Sequence, residues 1–198
     1  DIAEGLQGAT VTAQLLPELK KTEAAWQSQG LIGYRIQVAG AVEESSKGSA
    51  SIAAGVPIML LAKHPDLHYI DAVAERHPGL RLIIDHLGLN NVKDESGLTE
   101  FDKLLALGNR PNVAVKTSCL PQFTSDVYPF KFWHPYLQRV HAAFGPQRMF
   151  WGSDLSRLPC QLEDCVTMFT EHMPWLSDAD RQLIMGDAVC EFWGWDHA

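Results

Sequence analysis

The chain has 198 residues, four cysteines and a formal net charge of -8 at pH 7. This length suits one domain over 1–198 with a sizeable core, and the acidic balance excludes proteins that hold nucleic acid or a membrane surface through clustered basic residues. No apolar run approaches the roughly 20 residues of a membrane span, so we expect a small-molecule partner. The four cysteines form no CxxC pair, and we expect them to be reduced thiols in a cytoplasmic protein.

Apolar runs bounded by turn residues alternate with helical patterns along the chain, which is typical of parallel strands covered by helices. The first pair is a helix over 17–29 and a strand over 31–38 that carries Arg35 at its middle. A charged side chain on a buried strand is costly unless it is paired. Arg35 is therefore expected either to bind an internal carboxylate such as Asp154 or to contact an anionic substrate.

A short apolar strand over 58–61 opens the next unit, and His64-Pro65-Asp66 then has the form of a helix start with proline in the first turn. The buried stripe of this helix is predicted to consist of Leu67, Ile70, Val73 and Ala74. His64 and His68 are four residues apart, a spacing that can bind metal. We expect His64 to cap the helix instead, because no third ligand is evident.

The third predicted strand, over 80–86, sets His86 at its carboxyl end. A helix from about 99 follows, with Thr99 and Asp102 expected to cap it. The next strand, over 113–116, ends at Lys116. Lys116 is expected either to bind substrate or to extend its ammonium into solvent.

The segment over 118–133 is long and aromatic, and loops of this length are commonly lids or binding loops. Its aromatic residues are expected either to line a pocket lid or to pack over the rim of a barrel; they are Tyr128, Phe130, Phe132 and Trp133. Ser118 and Cys119 open the segment, but no Gly-x-Ser-x-Gly elbow surrounds them. A serine or cysteine nucleophile therefore has little support.

A helix over 135–144 precedes the last strand, over 148–152, which runs into Asp154. Two further helices are predicted near 163–172 and 179–193, the second with Ser177 and Asp180 as a capping pair.

Parallel barrels keep their chemistry at the carboxyl ends of the strands, and side chains alternate inward and outward along each strand. Alternation places Ile84 with His86 and Ala114 with Lys116, and we expect His86, Lys116 and Asp154 to face one pocket. Asp85 is expected to point away and to form loop hydrogen bonds. An Asp and a His at two strand ends indicate a hydrolytic site; the alternative is that each bonds a nearby backbone amide.

Three segments carry a resemblance to a known family: GLIGYRI (30–36), PGLRLIIDHLG (78–88) and FGPQRMFWGSD (144–154). Together with MGDA (185–188) and FWG (192–194), they resemble the amidohydrolase-related family, which includes decarboxylases of carboxymuconate semialdehyde type and lactonases of pyrone dicarboxylate. The resemblance covers nearly the whole chain. It implies an α/β fold, a distorted (β/α)8 TIM barrel of the metal-dependent hydrolase type, which we expect to be incomplete at its amino terminus.

The resemblance also implies roles for two residues. Asp154 matches the Asp that binds metal or acts as general base, and His86 matches the His that is a metal ligand or polarises the substrate carbonyl. The family's first strand bears a His-x-His metal pair, which this sequence lacks, and the fifth-strand histidine of metal-dependent members is replaced by the apolar run 58–61. A catalytic zinc normally takes three protein ligands. The expected cofactor is therefore none, or one divalent ion (Zn or Mn) if the missing ligands are supplied.

The sequence looks closer to the metal-free lactonase-like members. We expect a hydrolase that acts on a small carboxylated lactone, ester or amide: Asp154 activates water, His86 stabilises the oxyanion, and Arg35 with Lys116 bind a substrate carboxylate. The alternatives are a metal-dependent decarboxylase of the same family and an inactive fragment that is truncated or completed by a partner. About five of eight strands can be traced, and open sheet edges invite pairing, so a homo-oligomer is expected.

Overall fold

The computed structural model of the protein describes residues 57–195 and, before them, the three helical positions Pro17, Lys21 and Ala24. Two compact units make up the chain, Asp1–Ala54 and Gly55–Ala198, and the elements below belong to the second. The three helical positions fall within the helix predicted over 17–29. The predicted strand over 31–38, and Arg35 with it, lies outside the described residues. One domain over 1–198 stays a prediction.

Among the described residues, four parallel strands form one sheet, in the same order as along the chain. Their bounds are β1 Ile58–Leu60, β2 Leu82–Ile84, β3 Val113–Ser118 and β4 Met149–Gly152. Because all pairs are parallel, the carboxyl ends of the four strands lie at one edge of the sheet. Polar residues that follow different strands are thereby brought to the same edge.

Helices follow the strands in the predicted alternation. Their bounds are α1 Leu67–Arg76, α2 Phe101–Ala106, α3 His134–Phe144, α4 Leu162–Thr170, α5 Asp178–Gln182 and α6 Ala188–Trp193. A π-helical turn, Leu183–Asp187, joins α5 to α6. Within the described part of the chain, no helix combines the length and the apolarity that crossing a bilayer requires.

Both faces of the sheet are buried over β2, β3 and β4, whereas Met59 of β1 is 50% exposed. One face packs against the helices in the larger core, to which it contributes Leu82, Ile84, Val113, Val115 and Met149. The opposite face contributes Ile83, Ala114 and Phe150, which pack against Ala188 and the partly buried Leu183, Val189 and Phe192 of the carboxyl-terminal helical segment. Burial on both faces explains why the strands appear in the sequence as continuous apolar runs without alternation.

Three local helix predictions have different outcomes. Val73 is 38% exposed, whereas the rest of the predicted stripe of α1 is buried; Val73 lies about 120° around the helix from Leu67, at roughly 100° per residue. The predicted Thr99 cap is wrong, because α2 begins only after Glu100 and has no side-chain cap. The Ser177 cap is confirmed, since its hydroxyl accepts a hydrogen bond from the Asp180 N–H at 3.1 Å.

The aromatic segment after β3 divides into buried and exposed members. Trp133 has no exposed surface and Phe130 is buried, whereas Tyr128 is 40% exposed. The indole Nε1–H of Trp133 donates to the Leu120 carbonyl at 2.9 Å, which ties the end of the segment to its beginning. Trp133 and Phe130 therefore follow the packing alternative, not the lid.

Candidate active site

A histidine and a carboxylate meet at the carboxyl edge of the sheet. Nε2 of His86, which follows β2, lies 3.6 Å from Oδ2 of Asp154, which follows β4. Their side chains are 15% and 26% exposed. These two strands are not neighbours, so the pair spans the end of β3. Both side chains are close enough to contact one small ligand.

Left-handed backbone turns aim these two side chains. His86 has φ 50° and ψ 38°, and Asp154 has φ 48° and ψ 56°. Such angles cost an ordinary residue roughly 1–2 kcal/mol and concentrate at functional sites. Alternation paired Ile84 with His86 and Ala114 with Lys116, and it would place His86 and Lys116 on one face only if Ile84 and Ala114 shared a face. They do not, because Ile84 packs in the larger core and Ala114 on the opposite face, so this expectation is wrong. His86 reaches the site because the chain leaves strand geometry at this residue.

Lys116 and Asp85 form an ion pair beside the histidine. Nζ of Lys116 lies 2.9 Å from Oδ1 of Asp85, with the side chains 25% and 18% exposed. The same ammonium lies 3.9 Å from Sδ of Met59 on β1. Lys116 lies two residues before the end of β3, which runs to Ser118 and not only to Lys116 as predicted. A carboxylate holds its ammonium, which does not extend freely into solvent. The expectation that Asp85 points away and forms loop hydrogen bonds is wrong, because Asp85 contacts Lys116.

Ser118 supplies a contact that the sequence does not reveal. Its Oγ lies 2.7 Å from Nδ1 of His86, and the residue has no exposed surface. Ser118 pairs in register with Gly152 on β4. A Cβ at Gly152 would lie 3.1 Å from the Ser118 Cβ and 3.4 Å from Lys116 Cε. Glycine at this position therefore lets the site side chains of β3 keep their places.

His64 supports the turn that carries His86. The ring is buried, and its Nε2–H donates to the Leu87 carbonyl at 2.9 Å. Burial lowers the pKa of His64, so the ring is neutral near pH 7. The expectation that His64 caps the helix is wrong. His64 begins a 3-10 turn, His64–Asp66, and Asp66 holds the cap position of α1 without a side-chain bond. Nδ1 of His68 contacts the Pro65 carbonyl at 2.8 Å, so the two rings face different backbone groups.

Neither residue that opens the aromatic segment is suited to act as a nucleophile. Ser118 is fully buried. Burial, with the Asp154 carboxylate adding to it, raises the pKa of the Cys119 thiol to about 11. A thiol with this pKa is neutral near pH 7 and is a poor nucleophile. Neither side chain is therefore a candidate for a covalent intermediate.

Asp94 ties the loop after β2 to the loop after β3. Its carboxylate accepts hydrogen bonds from the Ser125 hydroxyl at 2.7 Å, the Ser125 N–H at 2.9 Å and the Thr124 hydroxyl at 2.8 Å. These bonds, those from Ser125 first, hold the pKa of Asp94 below its ordinary value. The two loops that flank the site are thus joined by one ionised side chain.

We expect Asp94→Asn to lower the melting temperature near neutral pH and to have progressively less effect in acid. A carboxyl whose pKa is depressed by folding stabilises the protein above its ordinary pKa of 3.8, and this stability is lost as the pH falls through the folded value. Asparagine tolerates the left-handed φ of 58° at this position, so the backbone is retained. Thermal melts of both proteins from pH 7 downward measure the effect. A difference in Tm that stays constant to about pH 2 would contradict it.

The described donors do not complete a zinc site. Among the residues that the structure describes, no group of three or more His, Cys, Asp or Glu side chains is placed to hold a metal ion. His86 and Asp154 bring two converging donors, whereas a catalytic zinc takes three protein ligands and an open position. The donor set formed by these two residues alone does not fit the ion.

The sequence model of the amidohydrolase family matches residues 15–194. The chain belongs to the amidohydrolase family. No curated protein matches this amidohydrolase.

Solved structures share its fold. An amidohydrolase from Burkholderia multivorans with bound zinc is similar, with a TM-score of 0.64 at 22% identity over 74% of this chain and 55% of that one. A protein from Pseudomonas putida, provisionally assigned as a 2-pyrone-4,6-dicarboxylic acid hydrolase, gives 0.61 at 24% identity over the same shares. A provisionally assigned hydrolase of the same kind from Acinetobacter baumannii, with citric acid bound, gives 0.60 at 17% identity over 73% and 54%.

These identities are low enough that the likeness establishes the fold alone. It confirms the predicted α/β barrel class, to which the four parallel strands and their helices conform. The aligned region covers about 55% of the length of these relatives.

Proposed function

We propose that this amidohydrolase hydrolyses the acyl C–O or C–N bond of a lactone, ester or amide in a small carboxylated substrate. The observation that carries the proposal is the His86–Asp154 pair, with 3.6 Å between Nε2 and Oδ2, at the carboxyl edge of a parallel sheet. Lys116 lies at the same edge as a cation for a substrate carboxylate. These groups supply a base, an N–H donor and a positive charge.

In the proposed reaction, the Asp154 carboxylate takes a proton from water as the water oxygen attacks the carbonyl carbon. His86 donates its Nε2–H to the oxygen that becomes negative. The separation of 3.6 Å from Asp154 exceeds the usual 2.7–3.2 Å of an N–H···O bond, so this N–H is not fully used by the carboxylate. When the tetrahedral intermediate collapses, the bond to the leaving oxygen or nitrogen breaks, and the leaving group takes the proton from Asp154.

The described site residues set one cation, Lys116, against the two carboxylates of Asp85 and Asp154, so a carboxylated substrate requires a further positive charge. Asp85 offsets part of the Lys116 charge, so a substrate carboxylate competes with Asp85 for this ammonium or is shared with a second cation. Arg35 is proposed as that second cation. The provisional assignment of the Pseudomonas putida relative to a pyrone dicarboxylate, and the citric acid in the Acinetobacter baumannii relative, point to the same substrate class.

No step of this reaction is routed through a metal ion. If further ligands supply the missing donors, His86 and Asp154 are the residues that would hold a divalent ion such as zinc or manganese. A bound ion would polarise the carbonyl or lower the pKa of water. Lys116 and Arg35 would then keep their proposed role of binding the substrate carboxylate.

The direct test is turnover of 2-pyrone-4,6-dicarboxylate by the full chain, with and without EDTA and with added zinc. We expect ring opening, followed by loss of pyrone absorbance, together with proton release and no carbon dioxide. The uncarboxylated 2-pyrone is the control and is expected to react far more slowly. Carbon dioxide release without ring opening would assign the chain to the decarboxylases, and inactivity on carboxylated lactones, esters and amides would overturn the proposal.

A mass of one 22.0 kDa chain by light scattering would contradict the expected homo-oligomer.

A further inference from the structure

We infer that Ser118 is a positioning residue that holds His86 in the tautomer with its proton on Nε2, which aims an N–H donor at the reacting carbonyl. The inference rests on the proposed function for its catalytic consequence, and it adds a residue to which that proposal gives no role. Three observations carry it: the contacts of the imidazole, the burial of the serine and the geometry of β3.

The two ring nitrogens of His86 face different chemistry. Nδ1 lies 2.7 Å from the Ser118 hydroxyl oxygen, and Nε2 faces the Asp154 carboxylate at 3.6 Å. An ionised carboxylate only accepts hydrogen bonds, whereas a hydroxyl can donate or accept. A bare lone pair on Nε2 would face the negative oxygen, so the carboxylate favours a proton on Nε2. In the neutral ring Nδ1 is then the acceptor, and the Ser118 hydroxyl must be the donor.

The burial of Ser118 makes this contact specific. The residue has no exposed surface, so bulk water is not in place to replace its hydroxyl at Nδ1. An unpaired buried nitrogen costs more than the hydrogen bond contributes when it is formed. Loss of the hydroxyl therefore leaves His86 free to rotate or to change tautomer in search of another partner.

The position of Ser118 on the sheet makes the contact rigid. It ends β3, the strand that pairs with both β2 and β4. Its register partner on β4 is Gly152. A Cβ at Gly152 would lie only 3.1 Å from the Ser118 Cβ, so glycine leaves the serine its space. Ser118 faces Nδ1 and Asp154 faces Nε2, so the serine lies on the side of the ring away from the carboxylate. Because Ser118 has no exposed surface, a substrate carbonyl does not reach its hydroxyl, and the contact orients the ring.

The test combines a spectroscopic readout with kinetics. Nitrogen-15 NMR of histidine-labelled protein, with His86 assigned by the missing signals of His86→Gln, is expected to show a protonated Nε2 and a hydrogen-bonded, unprotonated Nδ1. In Ser118→Ala the Nδ1 signal is expected to move toward that of an unbonded nitrogen. We expect kcat for a carboxylated lactone to fall about tenfold with little change in KM, as loss of one neutral hydrogen bond allows.

Two further variants separate positioning from folding. Ser118→Thr keeps a hydroxyl and is expected to restore both the Nδ1 signal and most of kcat. Thr117→Val is the matched control: it removes the neighbouring buried hydroxyl, which donates to the Phe150 carbonyl at 3.0 Å, and should leave the His86 signals unchanged. A proton on Nδ1 in the wild type, or a Ser118→Ala protein with unchanged His86 signals, overturns the inference. Because the NMR signature needs no substrate, it stands apart from failure of the proposed hydrolysis.

Discussion

Asp154→Asn is expected to lower kcat for a carboxylated lactone by about a thousandfold, within the range of about 10²–10⁴ that a general base contributes. The amide keeps the shape of the carboxylate but cannot take a proton from water. Asparagine also tolerates the left-handed conformation that the structure shows at this position, with φ 48°. The variant should therefore fold normally, which circular dichroism and thermal melts can verify before kinetics are measured.

Asp85→Asn is the matched control for this experiment. It makes the same chemical change in a carboxylate at the same edge of the sheet, one that contacts Lys116 instead of His86. We expect it to lower KM, because Asp85 no longer competes with the substrate carboxylate for Lys116. The value of kcat should stay within about tenfold of the wild type. If Asp154→Asn retains more than about a tenth of wild-type kcat, Asp154 is not the general base.

The sequence is sufficient to predict the alternation of strands and helices, because strands buried on both faces, as β2 to β4 are, appear as apolar runs. It also places His86, Lys116 and Asp154 at the carboxyl edge, since the residues that follow parallel strands share that edge. The structure confirms the parallel strands and brings His86 to Asp154. Their roles in the reaction stay predictions.

The contacts within the site depend on features that side-chain periodicity does not contain. The backbone at His86 is left-handed, although His86 is not a glycine, and this turn breaks the alternation on which the sequence prediction relied. The Ser118 contact exists only because β2, β3 and β4 are adjacent and Gly152 leaves space. His64 has the spacing of a metal ligand, and only its long-range bond to the Leu87 carbonyl identifies it as a support for the turn.

Trp133→Ala is expected to lower the free energy of unfolding by about 3–5 kcal/mol, the cost typical of truncating a buried aromatic side chain. The indole has no exposed surface and contacts the rings of Phe132 and Tyr136, with centroids 5.2 and 6.1 Å away. Its removal also leaves the Leu120 carbonyl, two residues beyond Ser118, without its donor.

Trp133→Phe divides this cost into packing and hydrogen bonding. Phenylalanine keeps most of the apolar contact but cannot donate to Leu120, so we expect a loss of about 1–3 kcal/mol, mainly from the unpaired carbonyl and a small cavity. Urea unfolding followed by circular dichroism measures both variants. Because the indole fixes the start of the loop that begins at the active site, Trp133→Ala should reduce kcat even where it remains folded, whereas Trp133→Phe should reduce it less. Equal stability of Trp133→Ala and the wild type would mean that this loop does not contribute to the core.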